Sequence, residues 1–153
     1  MKIELKKVEH LERCSEETNC YAAQVWVNGQ HMVDVSNEGH GGCDHQHPAP
    51  GFTRQDVQNL DAKIKAEYPP LNGYYDGEDN DTDLEIVCGD LLTEWLITRD
   101  MKKLLKAKVA YVKPNEKGIN AISLTRKGKK EGLQTVCARV QSACPKAKVL
   151  NLL

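Results

Sequence analysis

Charge and apolarity alternate from the first residues of the chain. In Met1-Lys2-Ile3-Glu4-Leu5-Lys6, Ile3 and Leu5 point one way and Lys2, Glu4 and Lys6 the other. That period of two predicts an edge strand over residues 2–8. A polar connection, Glu12 to Asn19, follows, and then Tyr21-Ala-Ala-Gln-Val-Trp-Val27, Asn28-Gly29 and Gln30-His-Met-Val-Asp-Val35. Asn-Gly supplies the two positive φ angles of a type I′ turn, whose twist matches that of the strands on either side, so the stretch predicts a β-hairpin. A two-residue turn fixes the register. Val27 should face Gln30, Trp26 should face His31, Val25 should face Met32 and Ala22 should face Val35. One face would then hold Trp26, His31, Val33 and Val35, with His31 packed beside the indole.

Downstream the period lengthens. Ser36 to Gly51 reads as a loop of Gly, His and Pro, and Thr53 with Asp56 marks a capped helix start. Val57, Leu60, Ile64 and Tyr68 follow at helical spacing and stop at Pro69-Pro70. So narrow a stripe predicts a helix lying on the sheet with one side in water. Leu71 to Asp83 reads as a second loop, and Thr82 with Glu85 as a second cap. The widest apolar face belongs to a helix from about Leu84 to Leu105, with Val87, Cys88, Leu91, Leu92, Trp95 and Leu96. Val109–Val112 and Ile119–Leu124 predict a second hairpin. A last helix carries Leu133, Val136, Cys137 and Val140, and Lys146 to Leu153 reads as a final strand. The expected fold class is α+β: an antiparallel sheet built from two hairpins plus edge strands, packed against about three helices.

A chain of 153 residues suits one core, so a single α+β domain over 1–153 is expected. With 5% aromatic residues, that core must rest on Leu, Val, Ile and Ala. The first residues lack the apolar run of a signal peptide, and no stretch of about eighteen apolar residues offers a membrane span. A cytoplasmic protein with no membrane partner is the expectation. Of the six cysteines, Cys88 and Cys137 fall on apolar helix faces, whereas Cys14, Cys20 and Cys43 stand in polar surroundings.

Charge changes the picture more than composition does. Residues 1–100 carry 8 Lys/Arg against 20 Asp/Glu, and residues 101–153 carry 13 against 2. The net charge of −1 therefore conceals −12 followed by +11. Either the two halves neutralise one another within one fold, or the protein displays two surfaces of opposite sign.

The densest chemistry lies in Gly39-His40-Gly-Gly-Cys43-Asp-His45-Gln-His47. Imidazole and thiolate are the ligands zinc prefers, so His40, Cys43, His45 and His47 are candidate metal ligands and zinc is the cofactor the loop would take, with Cys14 or Cys20 as further donors. The spacing is not that of a zinc finger or ribbon, and the plain alternative is a solvated loop. Cys43 as a nucleophile beside an imidazole, and Gly39 to Gly42 as an anion nest, are weaker readings of the same residues. Asp76, Glu78, Asp79, Asp81 and Asp83 form an acidic loop suited to a basic partner. Its likeness to a calcium loop fails because Leu84 stands where the turn needs Gly. Arg126, Lys127, Lys129 and Lys130, with Lys102, Lys103, Lys106 and Lys108, form a basic surface that would follow a nucleic-acid backbone without reading bases.

The stretch from Glu16-Glu-Thr through the Asn28-Gly29 turn to Val35-Ser-Asn-x-Gly-His-Gly-Gly-Cys43, with the ending Val149-Leu-Asn-Leu-Leu, resembles small accessory proteins of phages and mobile elements, a group with no assigned activity. The resemblance implies an accessory factor in the host cytoplasm. The expected function is binding and inhibiting a host defence complex that handles nucleic acid, in the manner of an anti-CRISPR. The alternative is a zinc-binding module or metal-dependent enzyme centred on residues 39–47. The expected partner is a host protein or nucleoprotein, with direct nucleic-acid binding as a further possibility.

Overall fold

A computed structural model describes residues 1–68, 71–75, 78–113, 117–123, 132–143, 145–146 and 148–152, with backbone alone for 71–75, 78–80, 107 and 152. The fold is α+β. Its contacts divide it into two compact units, Met1–Glu94 and Trp95–Leu153.

In the first unit, strands β1 (Ile3–His10), β2 (Tyr21–Val27), β3 (Gln30–Asn37) and β4 (His45–Pro48) form an antiparallel sheet in the order β1-β2-β3-β4. The predicted hairpin is present, with Asn28 at φ 48° and Gly29 at φ 87°. Val27 faces Gln30 and Trp26 faces His31, as expected. Beyond that point the expected register fails. A bulge next to Trp26 puts Val25 opposite Val33 and Ala23 opposite Val35, and Ala22 faces Ser36. The extra residue in β3 breaks the alternation, so the face predicted for Trp26, His31, Val33 and Val35 is split in two. Val33 and Val35 join Tyr21, Ala23, Val25 and Val27 in the core. Trp26 and His31 stack on the opposite face, their ring centroids 5.9 Å apart.

A fourth strand where a loop was expected is a second difference. Residues 45–48, His-Gln-His-Pro, hold no aliphatic alternation, and β4 exists because β3 offers it an unpaired edge. Helix α1 (Arg54–Glu67) starts at Thr53 with a full capping box: Thr53 accepts from the Asp56 N–H, and the Asp56 carboxylate accepts from the Thr53 N–H at 2.7 Å. The Thr53 hydroxyl and N–H hold the Asp56 pKa below its ordinary value. Its inner face, Val57, Leu60 and Ile64, is buried. Between the helices, β5 (Leu71–Tyr75) pairs with β6 (Glu78–Asn80), where a loop was expected.

Helix α2 (Leu84–Ala107) begins in the first unit, and the division at Glu94 falls within it. Its cap is Asp83, which accepts from the Ile86 N–H at 2.9 Å, and Asp61 of α1 takes the Leu84 N–H at 2.9 Å. The predicted cap, Thr82, is buried one residue earlier. Leu84, Cys88 and Leu92 are almost fully enclosed, each apolar burial contributing roughly 1.5–3 kcal/mol over exposure.

In the second unit, β7 (Lys108–Val112) pairs with β8 (Asn120–Ser123) as predicted, and also with β9 (Lys148–Val149), giving the order β8-β7-β9. Helix α3 (Leu133–Ala143) buries Val136 and Cys137 against Val109 and Val149. The final strand is only two residues long. After it the chain turns into a 3-10 helix, Leu150–Leu152, where Asn151 accepts from the Ala110 N–H and donates to the carbonyls of Leu105 and Lys108. No helix among the described residues is long and apolar enough to cross a membrane.

Candidate functional site

Strand β3 ends in Asn37, a buried polar residue whose amide organises everything that follows. Its Oδ1 accepts from the Thr18 hydroxyl at 2.7 Å and the Gly39 N–H at 2.9 Å, and its Nδ2 donates to the Gly42 carbonyl at 3.2 Å and Asp44 Oδ1 at 3.0 Å. All four hydrogen-bonding positions of one side chain are thus used, three on the Gly39–Asp44 loop and one on Thr18 of the loop before β2.

Gly39 ties this loop to the one before β2. Its carbonyl accepts three successive N–H groups, from Glu16 at 2.9 Å, Glu17 at 3.0 Å and Thr18 at 3.4 Å. Its φ of 88° lies in the left-handed region, and a Cβ here would stand 2.0 Å from the Cys14 carbonyl oxygen and 2.9 Å from the Cys20 Cβ. Only glycine allows so close an approach. The result is a knot of two loops that brings together the backbone of Glu16, Glu17 and the Glu38–Gly39 stretch, and all three acids are exposed.

At the far end of the loop lies a second cluster. The Tyr21 hydroxyl donates to Asp44, the Asp44 N–H donates to Glu85 Oε1 at 3.2 Å, and the Cys43 thiol lies within the influence of the Glu85 carboxylate. The Glu85 charge, above all, pushes the Cys43 thiol up, away from thiolate. Partial burial, with the charges of Asp44 and Asp83 beside it, raises Glu85 as well, despite the Asp44 N–H that opposes the shift. Burial, followed by the Asp44 carboxylate, raises Tyr21, and burial with the same carboxylates pushes Cys88 up to about 12. Four groups are thereby kept protonated or biased toward it, which suits a pinned loop and opposes nucleophilic attack by Cys43.

The predicted ligands do not converge. His40 is 62% exposed and its Nδ1 lies 3.3 Å from Glu16 Oε2, while Cys43 turns to Glu85. His45 and His47 stand two apart on β4, exposed, opposite Ser36 and Asp34 on the outer face of the sheet. Among the described residues, no group of three or more His, Cys, Asp or Glu is placed to hold a metal ion. Of the predicted acidic loop, Asp81 is exposed and Asp83 is used as a helix cap. Glu78 and Asp79 lie on the backbone of β6, their side chains outside the described residues, as is Asp76. Arg126, Lys127, Lys129 and Lys130 also lie outside the described residues.

Sequence reasoning passed over Asn37, Tyr21, Asp44 and Glu85, and the acids Glu16, Glu17 and Glu38. The sequence marks Glu85 as half of a capping box with Thr82, whereas it meets Asp44. The one available signal was the run of φ-permissive glycines after Asn37, which implies a backbone held tightly by something nearby. Set against protein-family models, curated proteins and solved structures, the chain matches none of them.

Proposed function

We propose that this is a stoichiometric binding protein, whose acidic unit docks on the basic surface of a complex that handles nucleic acid and so blocks it. The observation that carries the reading is a coincidence of boundaries. Residues 1–94 hold 7 Lys/Arg and 19 Asp/Glu, net −12, and residues 95–153 hold 14 and 3, net +11, so the change of sign falls where one compact unit gives way to the other. Charges segregated by unit favour display of two signs over mixing within one core. The knot adds stiffness: Glu16, Glu17 and Glu38 project from backbone fixed by the Gly39 carbonyl and the Asn37 amide, so little ordering entropy opposes docking.

The resemblance to phage and mobile-element accessory proteins supplies the setting, a host defence assembly of the kind anti-CRISPR proteins oppose. Complementary charge of this size raises the association rate and makes the complex salt-sensitive. The test is capture from host lysate by the intact protein at about 50 mM and about 200 mM salt, followed by titration of the captured enzyme. Recovery of a nucleic-acid enzyme, inhibited with an end point near one equivalent and released by Glu16→Lys, Glu17→Lys and Glu38→Lys together, is the expected result. No such enzyme at the lower salt, or inhibition by catalytic amounts, refutes the proposal.

A further inference from the structure

The second unit carries a surface of its own. Along α2, Trp95, Arg99, Lys102, Lys103 and Lys106 recur at steps of three and four, so they share one helix face, and they line a shallow cavity of about 310 Å³. The Arg99 guanidinium lies 5.4 Å from the Trp95 ring centroid, held over its face. Lys102, Lys103 and Lys106 are exposed. The single acid on this stretch, Asp100, lies 2.9 Å from Arg99 Nε and 4.0 Å from Lys103 Nζ.

We infer that this face binds the phosphate backbone of nucleic acid without reading its sequence. At a rise of 1.5 Å per residue, the four cations from Arg99 to Lys106 span about 10 Å, the axial reach of about three phosphates of one duplex strand. A row of one sign along a rigid rod fits a uniformly charged polymer. Lysine ammonium groups contact phosphate as point charges and do not match base edges. The only indole of the face is covered by Arg99, so it serves to hold that cation rather than to stack on a base. This inference is separate from docking by the acidic unit and stands or falls without it.

The experiment is fluorescence anisotropy of the full chain with a labelled 24-base-pair duplex of arbitrary sequence. Contact with about three phosphates predicts a slope of log K against log salt of about −2.7, so affinity falls about 40-fold between about 50 and 200 mM salt. Joint replacement Lys102→Gln, Lys103→Gln and Lys106→Gln should flatten the slope to about −1, and glutamine keeps the helix propensity. Asp100→Asn should tighten binding, a change that damage to the fold would not produce. Lys146→Gln with Lys148→Gln removes charge elsewhere and should leave the slope within one unit of the parent's. Absence of duplex binding at low salt, an unchanged slope in the triple variant, an equal loss in the Lys146 and Lys148 variant, or equally tight binding of poly-glutamate would each overturn the inference.

Discussion

Replacing Gly39 by alanine isolates the two-loop knot from everything else in the protein. Two costs are separable. An L-residue at φ 88° is strained by about 1–2 kcal/mol, and the new Cβ stands 2.0 Å from a backbone oxygen, Cys14, that cannot swing aside as a flexible side chain would. Relief requires residues 14–18 to withdraw, which breaks some or all of the three N–H bonds to the Gly39 carbonyl, each contributing about 0.5–1.5 kcal/mol. The expected loss is about 3–5 kcal/mol, a large part of the usual 5–15 kcal/mol of a folded domain. Gly42→Ala is the control. It has the same kind of backbone, φ 90°, with nothing within 4 Å of the added Cβ, so only the strain of about 1–2 kcal/mol applies. Urea unfolding of both variants, followed by circular dichroism, measures the difference. If Gly39→Ala costs no more than Gly42→Ala, the close approach does not hold the knot together and the argument from the Cys14 contact is wrong.

Asn37→Ala removes four hydrogen bonds from a buried position and leaves the Thr18 hydroxyl and the Asp44 carboxylate short of a partner; a loss of about 2–4 kcal/mol in urea unfolding is expected, and a loss below about 1 kcal/mol would deny Asn37 its organising role. Tyr21→Phe takes away the hydroxyl that donates to Asp44 and should cost about 1.5–3 kcal/mol by the same measurement, since the acceptor is charged. Glu85 binds its proton more tightly in the folded than in the unfolded chain, so its contribution to stability is present in acid and is lost as pH rises through the raised folded value. Glu85→Gln should therefore raise the urea midpoint at neutral pH and leave it unchanged near pH 4, and a gain at both pH values would refute the assignment. The same substitution removes the charge that keeps Cys43 protonated. An aromatic disulfide reagent, with the labelled site read by mass spectrometry, should modify Cys43 faster in that variant than in the parent at neutral pH.

The parts of the fold that were legible in the sequence are those where one local rule decides. Asn28-Gly29 has two residues that accept positive φ between alternating strands, and Thr53 with Asp56 forms a reciprocal cap. Neither outcome needs distant help. The register past Trp26 was not legible, because a bulge is a compromise between the turn and the packing of Val25, Val33 and Val35, and the packing partner is remote in sequence. Strand β4 was missed for a similar reason: its pairing belongs to the free edge of β3, and nothing in His-Gln-His-Pro announces it. The hairpin of β5 and β6 has a signal, since the sequence between the paired Tyr75 and Glu78 is Asp-Gly, set within a run of acids that reads as a charged loop.

At the candidate site the sequence grouped side chains of one loop that the structure gives other companions. Proximity in sequence grouped His40, Cys43, His45 and His47, yet the start of a strand at His45 sends the last two to the outer face of the sheet and leaves the first two at separate carboxylates. The residues that instead meet, Asn37, Asp44, Tyr21 and Glu85, span 65 positions from first to last and could be joined only by the pairing of β2 with β3 and the docking of the first turn of α2. Their carboxylates and protonated neighbours are engaged with one another, which ties the loop to β2 and to the start of α2. Under the proposed docking, recognition would fall to the exposed carboxylates of the knot, Glu17, Glu38 and Glu16, the last 3.3 Å from His40 Nδ1, and a surface that acts by charge on such a backbone should lose affinity with salt long before it loses structure.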